Sequence, residues 1–226
     1  MMFNIRALKM TSRLQVTIGA AVLLTIGIFA LFAPVIAPYP YDLPHLDDIF
    51  APLSNRFFLG TDNLGRDIFS RLLWGSRESL TVALGVEAIA LPTGIFLGFC
   101  CAYNGGLISR LMERLADLLY AFPTIMIAML AAVVLGPGKM SIIIAISIGE
   151  WPVFFRLSRA LVMQLKQALF VDAAVVAGAG QGRIFRCHIL PNIISIIIPK
   201  IILNVAGIIM AEAVLSFLGI GIQSPV

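Results

Sequence analysis

The sequence predicts an all-α, polytopic transmembrane protein, on three observations. The chain of 226 residues is 60% hydrophobic and only 12% charged, with a mean hydropathy of +0.99, whereas soluble chains run at about 25% charged. So few charges cannot cover a water-facing surface, and lipid must face much of the chain. The apolar residues are also gathered into runs near the about 20 residues that a helix needs to cross a hydrocarbon core about 30 Å thick. Period-two alternation of the barrel kind is absent, so the spans are helices that satisfy their own backbone hydrogen bonds.

Five spans are expected. Residues 1–15 form an N-terminal tail and 16–37 the first helix, whose run from Val16 to Ile36 is uncharged. Arg6, Lys9 and Arg13 precede it as in a secretory signal. The run is too long for a signal core, however, and ends in Pro34, Pro38 and Pro40 without a small-x-small cleavage pattern, so it reads as a retained anchor. Residues 38–79 form a polar segment, Pro-rich before Phe57 and carrying an amphipathic helix. Residues 80–226 form the core, with spans at about 80–103 (Glu87 its only charge), 118–135 (uncharged), 140–155 (with Glu150) and 193–218 (with Lys200 and Glu212). Residues 156–192 are too long for a turn between antiparallel helices. Basic residues are retained in the cytoplasm. With the N-terminus inside, ten fall in cytoplasmic segments against five outside (Arg56, Arg66, Arg71, Arg77 and Lys139), so residues 38–79 are external and 156–192 cytoplasmic.

Composition also excludes several functions. The net charge of +4 is spread between apolar runs rather than gathered into a basic domain, which argues against nucleic-acid binding. Cys100, Cys101 and Cys187 fit neither a zinc spacing nor a disulfide framework and read as small apolar fillers. His45 with Asp47 and Asp48 is too sparse for a metal site. No Walker lysine motif, catalytic triad or zinc-protease motif is present, so no catalytic residue, cofactor or ATP hydrolysis is expected of this chain.

Function is therefore sought in the two polar segments. The run Phe170-Val171-Asp172-Ala173-Ala174-Val175-Val176-Ala177-Gly178 is followed by Gly180, Gly182 and Ile189-Leu190-Pro191. It reads as helix, glycine break, helix and proline stop. Asp172 is placed to cap the first helix, Ala173, Ala174 and Ala177 give it a face without bulk, and Gly178, Gly180 and Gly182 permit the reversal. Upstream, Leu59-Gly60-Thr61-Asp62-Asn63-Leu64-Gly65-Arg66-Asp67 leads into a helix with Ile68, Phe69, Leu72 and Leu73 on one face, capped by Thr61 or Asp62.

These two runs resemble the permeases of binding-protein-dependent ABC importers. Asp172-Ala173-Ala174, Gly178 and Ile189-Leu190-Pro191 match the spacing of that family's "EAA" loop, with Asp for its usual Glu. The run from Leu59 to Leu80 is similar to the segment before the second helix in the C-type subunits of the dipeptide, oligopeptide and nickel subfamily. The resemblance extends from about Val16 to Pro225. It implies a type I importer fold, a bacterial inner-membrane location and import of dipeptides or oligopeptides, with a nickel or other small polar solute as the alternative. It also implies a homologous permease, two cytoplasmic ATP-binding subunits and an extracytoplasmic solute-binding protein as partners. The loop becomes a docking helix for the ATPases, through Asp172, Ala173, Ala174, Gly178, Ile189, Leu190 and Pro191. In the family a sixth helix follows the turn at Gly219 to Pro225, so a further apolar run is expected beyond Val226.

Charges inside spans mark functional positions, because a charge at the bilayer centre costs on the order of 3 kcal/mol. Glu87, with Pro92 after it to kink the helix and free a carbonyl, is the pathway candidate, together with Glu150. Counting helical rise puts Lys200 and Glu150 in the cytoplasmic third, where they can pair or Lys200 can snorkel, and Glu212 near the headgroups. An intramembrane enzyme or assembly factor built on Glu87 and Glu150 is the rival of another class. It is disfavoured because the two carboxylates fall at different depths.

Overall fold

The computed structural model describes residues 5–136 and 138–220, with side chains from Gln15 onward. The described residues form α-helices with one 3-10 turn, one π turn and a single isolated bridge between Thr61 and Asp67. They divide into two compact units, the boundary falling after Leu80.

In the first unit, α1 runs Ile5–Leu31 and α2 Ala33–Ile36. The helix thus begins inside the expected tail, and Pro34, which has no N–H to donate, sits in the first turn of α2 where none is needed. The segment that follows is not a free amphipathic helix. It folds as a loop with a 3-10 turn at Leu46–Asp48, and helix α3 starts only at Ile68. Neither Thr61 nor Asp62 caps α3. Asp67 does so, its Oδ2 accepting the Ser70 N–H at 2.8 Å and the Ser70 hydroxyl at 2.6 Å. Asp62 instead closes the turn before it, with Oδ1 accepting the N–H groups of Leu64 (2.8 Å) and Arg66 (3.0 Å) and Oδ2 the guanidinium groups of Arg66 and Arg71. Burial alone would raise the Asp62 pKa, but those backbone and guanidinium bonds outweigh it and hold the carboxyl at about 2. Thr61 accepts the Ala51 N–H at 2.8 Å and donates to the Asp48 carbonyl. His45 packs against the rings of Tyr39 and Phe57, at 5.3 and 5.7 Å, and these rings lie 5.5 Å from each other, so the three form an aromatic cluster.

The α3 helix spans Ile68–Asn104, so the expected surface helix and second span are one element about 55 Å long. It passes through Pro92 without a break. In the second unit follow α4 (Gly106–Ala121), α5 (Thr124–Leu135), α6 (Lys139–Leu165), α7 (Leu169–Val176), α8 (Gln181–Ile184) and α9 (Leu190–Phe217). Among the described residues three helices are long and apolar enough to cross a membrane: α3, α6 and the continuous stretch Gln181–Phe217. A bent pair, α4 with α5, makes a fourth candidate, and Gln15–Leu31 is a shorter apolar helix.

Several expected boundaries are corrected. The single span at 118–135 is broken: α4 and α5 meet at 97°. The cause is Pro123, which forces Phe122 into extended backbone (φ −97°, ψ 143°) and ends α4. The span at 140–155 continues to Leu165, so the loop expected from Arg156 is helix for its first ten residues. Pro191 does not stop a helix. The chain passes through a π turn at Phe185–Ile189, in which the Leu190 N–H reaches the Phe185 carbonyl, and enters α9 with Pro191 in its first turn. The wider π turn absorbs the donor that proline lacks. The turn at residues 221–225 lies outside the described residues.

Packing within the second unit rests on small residues. Gly94 and Gly98 let α3 approach α6 so closely that a Cβ at Gly98 would lie 2.0 Å from Ser158 Oγ, and one at Gly94 2.5 Å from Phe154 Cβ. Ser158 donates across the contact to the Gly94 carbonyl at 3.0 Å. Two apolar clusters result. One joins Val82 and Val86 with Ile142, Ile146, Ile208 and Leu215; the other joins Ala90, Ile95 and Phe99 with Phe154, Val171, Ile184, Ile189 and Ile193. Cys101 is buried in a smaller cluster, whereas Cys187 is exposed and fills nothing.

Candidate functional site

The segment after α6 is built to present one helix face. Its scaffold is pinned by charge: Arg159 meets Glu113 of α4 at 2.6 Å, Arg156 meets Asp117 at 3.5 Å, and Lys166 donates to the Tyr103 carbonyl at 3.1 Å. After a short turn, α7 begins at Leu169 with Ala168, not Asp172, as its N-cap residue; Asp172 lies in the first turn and makes no capping bond. The helix ends in a Schellman motif. The Ala179 N–H reaches the Ala174 carbonyl and the Gly178 N–H the Val175 carbonyl, both at 2.9 Å, with Gly178 at φ +81°. A side chain there would be strained by the backbone alone, since nothing lies within 4 Å of its Cβ position.

The two faces of α7 differ. Val171 is buried and Ala174 packs against the cluster of Ile184, Ile189 and Ile193. On the other face stand Leu169, Asp172, Ala173 and Val176, at i, i+3, i+4 and i+7, all exposed; Leu169 is 86% and Val176 89% accessible, and Phe170 and Val175 at its flanks are exposed to a lesser degree. Of the predicted docking residues, Asp172 and Ala173 therefore face outward. Ala174, Ile189 and Leu190 hold the element to the core, Gly178 ends it, and Pro191 is exposed at the start of α9. Leu169 and Val176 escaped the sequence reading, although their spacing with Asp172 and Ala173 was available to it.

The second candidate lies between α3 and α9. Glu87 is buried, its Oε1 accepting the Asn204 Nδ2–H at 3.1 Å, while its Oε2 has no partner. Along both helices this pair falls between the two apolar clusters. Glu150, half-buried, and Lys200 lie within electrostatic range of the Glu87 carboxylate, but they do not pair with each other. Pro92 is exposed. Glu212, expected among the headgroups, is buried, with the Ser216 hydroxyl donating to it at 2.8 Å. Among the described residues no three His, Cys, Asp or Glu side chains group as a metal site. Asn204 was missed because an amide in an apolar run carries no charge to mark it.

Residues 90–226 match the family described as the inner membrane component of binding-protein-dependent transport systems, and residues 16–56 match the N-terminal transmembrane domain of oligopeptide transport permease C. The chain belongs to this permease family. It is 38% identical to the di/tripeptide transport system permease protein DppC of Pseudomonas aeruginosa, over 92% of this chain and 70% of that protein. It is 35% identical to the oligopeptide permease OppC of Bacillus subtilis, over 96% and 72%, and 32% identical to the nickel permease NikC of Escherichia coli K12, over 96% and 78%. A second Bacillus subtilis relative, a dipeptide permease DppC, is 36% identical and is covered over 65% of its length. The permease is thus an inner-membrane transport component of the dipeptide, oligopeptide and nickel subfamily and not an enzyme.

Proposed function

We propose that this permease is a translocation subunit of an ATP-driven importer of dipeptides or oligopeptides. It forms half of the pathway with a homologous permease and is fed by an extracytoplasmic solute-binding protein. Two cytoplasmic ATPases drive it, one of them seated on α7. The observation that carries the reading is a helix held to the core only through Val171 and Ala174, with Leu169, Asp172, Ala173 and Val176 uncovered on one face and Phe170 and Val175 exposed beside them. Such a helix is a poor lipid contact, because it carries a carboxylate, and a poor solvent face, because it carries the bare side chains of Leu169, Phe170, Val175 and Val176.

The mechanism is a lever. The Schellman turn joins α7 to the Gln181–Phe217 helix through only a few residues, and Val171 and Ala174 tie both to the same cluster. A displacement of α7 by closing ATPases is carried into α9 and, at Asn204, to Glu87 of α3, rocking the spans between inward-open and outward-open states. The peptide substrate follows the relatives at 38% and 35% identity rather than the nickel permease at 32%.

The test is co-purification of the ATP-binding subunits and peptide uptake for Gly178→Val and Asp172→Lys, beside a control at exposed Gln164. Both variants should reach the membrane at normal levels, associate weakly with the ATPases and lose uptake. Normal uptake in both would sink the docking role. Nickel uptake without peptide uptake by the intact system would overturn the substrate assignment.

A further inference from the structure

We propose that the groove between α3 and the start of the Gln181–Phe217 helix holds an anionic phospholipid, with Arg183 and Arg186 binding its headgroup phosphate. The groove has a volume of about 700 Å³ and is lined by Phe96, Phe99 and Phe185 together with the two arginines. Its floor is aromatic, with the Phe99 and Phe185 rings 4.3 Å apart. Phe96 stands on α3 eight residues before the helix end, about 12 Å along the axis, and is 60% exposed.

Among the described residues the two arginines lack a carboxylate partner, as do Arg110 and Arg114 of α4, and are set apart from that pair by the aromatic groove they line. Arg156 and Arg159 pair with Asp117 and Glu113, Arg66 and Arg71 share Asp62, and Arg56 pairs with Asp48. Arg183 and Arg186 are three residues apart, both exposed, and have no carboxylate partner among the described residues. Both stand in the first turns of a long helix, where the dipole also favours an anion. Two forked guanidinium groups above an apolar wall suit one ligand chemistry, a phosphate carrying acyl chains. The inner leaflet, rich in anionic lipid, supplies it where this helix end emerges. The proposal rests on the cytoplasmic placing of that end, which the docking reading shares.

The experiment is native mass spectrometry of the full chain in detergent, titrated with phosphatidylglycerol and with phosphatidylcholine of the same acyl chains. Wild type should retain phosphatidylglycerol at a half-saturating concentration on the order of tenfold lower than phosphatidylcholine. The pair Arg183→Gln with Arg186→Gln should abolish that preference. The pair Arg110→Gln with Arg114→Gln, an equal loss of exposed charge on α4, should keep it, and Phe96→Ala should weaken both lipids alike. If the first pair fails to fold, Arg183→Lys with Arg186→Lys should fold and keep a reduced preference. No preference in wild type, or equal loss in the α4 pair, would overturn the site. So would full displacement of lipid by inorganic phosphate, which would mark a free-anion site. Loss of the ATP-binding subunits with lipid retention unchanged would assign the arginines to that partner and overturn it too. Failure of the docking reading shows separately, as unaltered ATPase association in the Gly178 and Asp172 variants.

Discussion

The loop ahead of α3 and the segment between α6 and α9 are both polar interruptions of an apolar chain, yet they are ordered in opposite ways. The first is closed on itself. Asp62, Thr61 and the Oδ2 of Asp67 accept from backbone N–H groups, a hydroxyl and guanidinium groups of this segment and the first turn of α3, and Tyr39, His45 and Phe57 pack among themselves. The second is closed on one side only. Val171 and Ala174 are held by the core, while Leu169, Asp172, Ala173 and Val176 touch nothing that would hide them. The first segment pairs most of its polar groups within itself, though His45 Nε2 and Asp67 Oδ1 stay without a partner, whereas the second leaves aliphatic side chains bare, the feature on which the proposed docking role rests.

The largest effect expected from this contrast is all-or-none. With the exposed Cys187 as one probe and Asn55→Cys as the other, a membrane-impermeant thiol reagent should label position 55 in intact cells and Cys187 only in inverted vesicles or permeabilised cells. Labelling of Cys187 from outside would reverse the orientation of both segments. Next in size, Leu169→Asp with Val176→Asp should leave the protein in the membrane with unchanged thermal stability while peptide uptake falls at least about tenfold, since each buried unpaired charge costs several kcal/mol at an interface. A loss of stability of similar size would instead show that this face is covered within the chain.

Effects on the scaffold should be smaller and of the opposite kind. Gly98→Val forces a Cβ into Ser158 and the Phe155 carbonyl and should destabilise the protein by about 1–3 kcal/mol, seen as a lower melting temperature in detergent. Smallest is the closed loop. Asp62→Asn removes the charge from its bonds to Arg66 and Arg71 and should cost about 1–2 kcal/mol, read as faster proteolysis between Asp47 and Arg71 with ATPase association unchanged. The pH dependence has a defined sign. The folded Asp62 pKa of about 2 lies below its ordinary 3.8, so its stabilisation is complete above about pH 4 and is lost as pH falls through 2. Protection from proteolysis that persists unchanged at pH 2 would remove Asp62 from the account.

The membrane class, the helical content and the permease family could all be read from residue order alone, because each depends on local composition or on short spacings. Sixty per cent apolar residues in long runs demand lipid whatever their neighbours are. The spacing of Asp172, Gly178 and Ile189-Leu190-Pro191 is likewise a property of the chain itself. Helix limits were less legible where proline acts by context. Pro123 breaks a span, Pro92 sits inside one, and Pro191 enters another behind a π turn, though all three lack the same N–H. Which side chains meet across helices was decided only by tertiary structure. Asn204 found Glu87 from 117 residues away, Gly98 made room for Ser158, and the inward turn of Val171 and Ala174 left Leu169 and Val176 bare. Hydropathy along the chain scores each residue against solvent, whereas these pairings depend on which helix faces are brought together, a quantity no single segment carries.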